Sequence, residues 1–265
     1  MHLYRTNTLR IARRIPGLRA LNRLLFRRET PSLARNIFGI DFPGPVGLGE
    51  GIDRFGELYN CFADFGFSFV ELSSQPDILR TIANIQKDRP QTILAANLSP
   101  DSKSTEEAAI IHDFCTSFSL MYDFADLFVV NTSHQRFSGG SSLLEDISFL
   151  SEILDELLSL RLLNDHSKPL LIQVSRTIDR QQLEAILHYA LYSGIDGIVA
   201  SGLESVRFIH EYTQGRLPII ARGEMHRPED AAALLDAGAS LLELTGEEVR
   251  PGSVRRITEY LSLPK

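Results

Sequence analysis

Residues 194–246, GIDGIVASGLESVRFIHEYTQGRLPIIARGEMHRPEDAAALLDAGASLLELTG, alternate between two kinds of pattern. GIDGIVAS (194–201), LPIIARG (217–223) and SLLELTG (240–246) are short runs dominated by Val, Ile, Leu and small residues, as parallel strands buried on both faces are. Between them, LESVRFIHEY (203–212) and PEDAAALLDAG (228–238) set apolar residues three and four apart, the period of a helix with one buried face. Pro228 suits a first helical turn, and Gly238 stands where the second helix should stop. Strand, helix, strand, helix, strand in so short a span is the repeating unit of a parallel sheet.

The alternation extends back to Pro31. Further apolar runs are PVGLG (45–49), FSFVELS (67–73), TILAANL (92–98), DLFVVNT (126–132) and PLLIQVS (169–175). Helical periodicity marks 55–65, 104–118, 143–162, 179–193 and 252–261, with Ser104 and Asp179 as start signals and Gly194 as a stop. Eight strands alternating with helices predict one closed (β/α)8 TIM barrel over 31–265, an α/β fold; an open doubly wound sheet is the alternative. The 265 residues, 43% hydrophobic and 23% charged, suffice for a core of that size. Cys61 and Cys115 lie in apolar segments and make no disulfide framework, which suits two packed thiols in a reduced, cytoplasmic protein.

The net charge of −7 conceals an asymmetry. Residues 1–28 carry eight arginines and no acid, so the remainder holds 19 basic against 34 acidic residues. Leucines, isoleucines and Phe26 are interleaved with those arginines. No stretch is long and apolar enough to span a bilayer, and no apolar run leads to a small-residue cleavage site. Residues 1–30 therefore read as a basic amphipathic arm. It could lie on an anionic membrane surface, placing the protein at the inner face of a membrane, or pack on the acidic body of its own chain. An acidic body argues against nucleic acid as a partner.

Barrel proteins place their chemistry at the C-terminal strand ends. Those positions are Glu50 and Asp53, Ser73 and Ser74, Asn97, Asn131, Ser133 and His134, Gln173 and Ser175, Ser201, Arg222 and Glu224, and Thr245, Glu247 and Glu248. The seventh, eighth and first ends are neighbours, so Glu50, Glu224, Glu247 and Glu248 share one edge of a mouth suited to a small-molecule ligand.

At these ends the chain resembles the membrane-associated dihydroorotate dehydrogenases along nearly its whole length. NIFGIDFPGPVGLGEGIDRFGELY (36–59) is similar to that family's entry into its first strand, FGFSFVELSS (65–74) to its second, and DLFVVNTS (126–133) to the strand ending in Asn-Val-Ser-Ser-Pro-Asn. IDGIVAS (195–201), GRLPIIARG (215–223) and DAGASLLELTG (236–246) continue the match in order. The resemblance implies FMN across the mouth, with dihydroorotate stacked on it. It implies flavin or substrate contacts at Ser74, Asn97, Asn131, Gln173, Ser201, Gly223, Thr245 and Gly246. Proton transfer would fall to His134, where the family has its serine base and where imidazole is a competent base near pH 7, with Ser133 beside it.

The departures cluster. The family's fifth-strand lysine, which places positive charge beside the flavin, is Gln173. Its asparagine after the base is Arg136. Its seventh-strand Gly-Val-Gly-Gly, which cradles the flavin phosphate, is Ala221-Arg222-Gly223-Glu224, and its first-strand Ala-Ala-Gly is Gly49-Glu50-Gly51. The substrate loop between the second and third strands shrinks to 76–91, with Asn84 as its candidate survivor, and a Gly-rich segment after the sixth strand is gone. The leading expectation is a diverged homologue that has lost dihydroorotate oxidation, with FMN binding left open. Two alternatives stay open: an active FMN-dependent enzyme of pyrimidine biosynthesis using His134, and a barrel repurposed for acid–base or metal chemistry around Glu50, Asp53, Glu224 and Glu247.

Overall fold

The computed structural model describes residues 16–26, 31–74, 77–101, 106–133, 143–250 and 252–264. Helix α1 (Pro16–Phe26) precedes a two-stranded antiparallel hairpin, β1 (Arg35–Ile37) and β2 (Ile40–Phe42). The barrel strands are β3 (Val46–Leu48), β4 (Phe69–Ser73), β5 (Ile93–Leu98), β6 (Leu127–Asn131), β7 (Leu170–Gln173), β8 (Gly197–Ala200), β9 (Ile219–Arg222) and β10 (Leu241–Leu244). Every neighbouring pair is parallel, and β10 closes on β3 with Leu242 opposite Val46. A closed barrel replaces the open-sheet alternative.

The outer helices are α2 (Tyr59–Asp64), α3 (Ile78–Lys87), α4 (Glu107–Met121), α5 (Ile147–Leu162), α6 (Arg180–Ser193), α7 (Leu203–Thr213), α8 (Pro228–Asp236) and α9 (Ser253–Leu261). Their ends follow local chemistry. Asp179 caps α6 by accepting the Gln181 amide, and Gly194 ends it in the left-handed region at φ 95°. Two elements differ from the sequence expectation. The hairpin was not foreseen, and 76–91, read as a shortened loop, carries α3, capped by Asp77.

Side chains alternate across the strands, giving two cores. One lies between sheet and helices. The other fills the barrel, where Phe69, Leu127, Leu171 and Leu241 form the floor with Phe42 of the hairpin, and Ala95, Val129, Val199 and Ile220 lie above. Phe42 meets Phe69 edge-on, ring centroids 5.5 Å apart. The next inward positions, at the mouth, are polar.

Helix α1 rests on the barrel exterior. Arg23 bonds the buried Asp64 carboxylate at 2.8 Å, Phe26 packs on Phe65, and Arg255 donates to the Leu25 carbonyl. Leu21, Leu24 and Leu25 remain exposed. Among the described residues no helix is long and apolar enough to cross a membrane.

Candidate functional site at the barrel mouth

A single guanidinium organises the mouth. Arg222 ends β9 pointing into the barrel, and four acceptors surround it. Its Nε donates to Glu243 Oε2 at 2.8 Å and its Nη1 to Gln173 Oε1 at 2.8 Å; Nη2 is paired with Glu71, and Glu50 Oε1 lies 3.4 Å from Nη1. A planar fork with five donors can satisfy such a set, which a lysine could not.

The amides complete the layer. Asn97 donates to Glu71 Oε1 at 2.9 Å and to Gln173 Oε1 at 3.0 Å. Asn131 donates to Asn97 Oδ1 and Glu50 Oε1, both at 3.1 Å, and its own Oδ1 accepts the Ser133 amide. Three of the resemblance-derived positions, Asn97, Asn131 and Gln173, thus meet in one hydrogen-bonded network.

One cation faces three carboxylates, and the electrostatics follow. Burial raises Glu243 to about 8, with repulsion from Glu71 adding to it and attraction from Arg222 opposing it. Burial and Glu71 likewise raise Glu50 to about 7. Burial alone would lower Arg222, but Glu71, Glu243 and Glu50 outweigh it and hold the guanidinium above its ordinary value. Near neutral pH the cluster therefore retains protons in place of its full negative charge. Glu243 Oε1 is wholly buried and has no hydrogen-bond partner among the described residues, consistent with a carboxyl held largely neutral at pH 7.

The remaining positions are placed as follows. Ser74 is buried, its Oγ accepting the Ser99 amide at 3.3 Å. Ser201 is partly buried after β8, and Gly246 is exposed. Gly223 sits at φ 68°, its amide bonded to the Glu243 carbonyl; a Cβ there would lie 3.2 Å from Thr245 Oγ1. Thr245 donates its amide to Glu248. Ser133 is exposed, while His134 and Arg136 lie outside the described residues. Asn84 donates to the Phe55 carbonyl at 2.8 Å, a bond that ties α3 to the loop after β3.

The acidic edge separates into distinct environments. Asp53 accepts the Glu57 and Leu58 amides at 2.8 and 2.7 Å, so it holds its own loop together; burial still raises it to about 6 against those bonds. Glu224 pairs with Arg176 at 2.5 Å, Glu247 is exposed, and Glu248 is buried. Among the described residues no three His, Cys, Asp or Glu side chains are arranged to hold a metal ion.

Sequence reasoning missed Glu71 and Glu243, and left open where Arg222 points. All three face into the barrel; Arg222 is itself a strand end, whereas Glu71 and Glu243 lie two residues before the ends at Ser73 and Thr245. Period-two alternation from Phe69 through Glu71, and from Leu241 through Glu243, was the available signal.

No family model matches the chain. Among named relatives, a dihydroorotate dehydrogenase (quinone) of Nostoc punctiforme is 30% identical, covering 86% of this chain and 79% of the relative. One from Christiangramia forsetii is 26% identical over 92% of this chain and 88% of its own. The ligand-free dihydroorotate dehydrogenase structure from Eimeria tenella superposes with a TM-score of 0.78 at 19% identity, over 97% of this chain and 94% of that one; this likeness speaks to the fold. With the same barrel, and with 30% identity to a relative across most of both chains, this protein belongs to the dihydroorotate dehydrogenase family.

Proposed function

We propose that this protein is a family member that does not oxidise dihydroorotate and does not hold FMN, its barrel serving as a stable body. The observation that carries this reading is the mouth network of Arg222 with Glu71, Glu243, Glu50 and Gln173. In a flavin site the cofactor completes such a constellation; here the side chains complete one another. Seating a flavin among them would require parting a buried guanidinium from its carboxylates, a step costing roughly 3–5 kcal/mol. Nor does Arg222 replace the family's lysine, because three carboxylates leave no net positive charge to stabilise an anionic reduced flavin. At the β9–β10 edge the Glu248 carboxylate already takes the Met225 and Thr245 amides, and its charge would oppose a phosphate dianion seated there. Like charges ~4–5 Å apart cost about 3–4 kcal/mol at an effective dielectric near 20. The residues present do not fit the cofactor.

The test is an absorbance spectrum of purified protein before and after incubation with FMN and desalting. Colourless protein in both states is expected. Retained flavin absorbance that bleaches on adding dihydroorotate would return the protein to the active class, with His134 the first base to mutate.

A second feature supports attachment of the arm to an anionic membrane surface. Leu21, Leu24 and Leu25 are exposed on α1, which follows an arginine-rich stretch, and apolar side chains among cations suit a headgroup boundary. Co-flotation with vesicles containing phosphatidylserine, lost with neutral vesicles or after Leu21, Leu24 and Leu25 are changed to serine, is the expected result. Equal flotation of wild type and variant would count against it.

A further inference from the structure

The backbone after β9 and β10 converges on a side chain of the protein itself. Glu248 ends the short 3-10 turn Gly246–Glu248 and is buried. Its Oε1 accepts the Met225 amide at 2.8 Å; its Oε2 accepts the Thr245 amide at 2.9 Å, with the Thr245 hydroxyl at 3.5 Å. Gly223 faces the same point, since a Cβ there would lie 3.8 Å from Glu248 Oε1. Amides from two neighbouring loops and a hydroxyl, converging where a glycine keeps the backbone clear, make an anion cradle. The loops after the seventh and eighth strands are where barrels commonly bind phosphate.

The surroundings favour an anion too. A cleft of about 80 Å³ opens beside Glu248, where Arg227, Arg250 and Arg256 share the lining with the acids Glu247 and Glu248, and with His226 and Ser253. Arg250 is anchored to the Glu247 carbonyl and Arg256 to the Ser253 hydroxyl, so both cations are held at the cleft. The cations and the converging amides suit a bound anion, and the anion in place is the Glu248 carboxylate.

We propose that Glu248 is an internal occupant of a phosphate cradle, its carboxylate taking the amides of Met225 and Thr245 that a phosphate or phosphate monoester would need. Truncating it opens the corner to that ligand through the arginine-lined cleft. The proposal deepens the reading that FMN is not held, and it explains how the corner is satisfied without one.

The test is a titration of inorganic phosphate against wild type, Glu248→Ala, Glu248→Ser and Glu248→Asp at matched ionic strength, followed by calorimetry and by melting temperature. Wild type and Glu248→Asp, which keep the charge, should not respond. Glu248→Ala should melt lower than wild type, regain stability with phosphate, and bind it at least about tenfold more tightly than wild type, the scale of one charge-assisted hydrogen bond. If the alanine variant does not fold, Glu248→Ser, which also vacates the cradle, carries the comparison and should also gain phosphate binding. Phosphate binding by wild type, or none by either neutral variant, overturns the proposal. Wild type that refuses FMN alongside neutral variants that ignore phosphate would sink this proposal alone and leave the functional reading standing.

Discussion

Arg222 is the residue on which the mouth depends. It neutralises carboxylates from β4 and β10 and reaches a third on the loop after β3. Removing it leaves Glu71 and Glu243 buried without their cation, so Arg222→Met is expected to lose roughly 3–5 kcal/mol of stability by urea unfolding. Arg222→Lys should recover only part of that loss, because one ammonium cannot span acceptors on four sides. An unchanged urea midpoint in Arg222→Met would mean that the network contributes nothing. The residue identity was legible as a departure from the family's Gly-Val-Gly-Gly. Its role was not, since the partners at 71 and 243 are about 150 and 21 positions away in sequence.

At the scale of elements, the barrel strands and most outer helices were readable because burial on both faces and a three-to-four spacing leave direct marks on composition. The hairpin β1–β2 was harder. Its strands are three residues each, too short for alternation to register, and its sequence RNIFGIDF passes for the approach to the first barrel strand. Yet it supplies the floor through Phe42, which is fully buried beneath the barrel. Phe42→Ala is expected to cost about 3–5 kcal/mol by opening a cavity there. A loss below about 1 kcal/mol would indicate that the floor closes without the hairpin. Helix α3 is marked locally by its Asp77 cap and apolar spacing, but it is only ten residues long and fills a segment shorter than the family's loop, which masks those marks.

For the whole molecule, the mouth links stability to pH. Glu50 and Glu243 hold protons more tightly when folded, at about 7 and about 8, than in an unfolded chain near ~4.3. Asp53, at about 6, acts in the same direction. A carboxyl whose folded value is raised contributes stability that is fully present below the unfolded value and lost as pH climbs through the folded one. The urea midpoint should therefore fall between about pH 5 and pH 8.5, and Glu243→Gln should flatten the upper part of that decline. A midpoint that rises over the same range would contradict the proton-sharing cluster. The sequence by itself determined the barrel, the family and a glutamine, Gln173, where the resemblance implies a lysine, because those are set by local periodicity and by identities at the strand ends. How the mouth's side chains pair with one another was decided only by tertiary structure. Closure of eight strands brings residues from β4, β5, β7, β9 and β10 to one point, and burial there turns charges distant in sequence into a single proton-sharing unit.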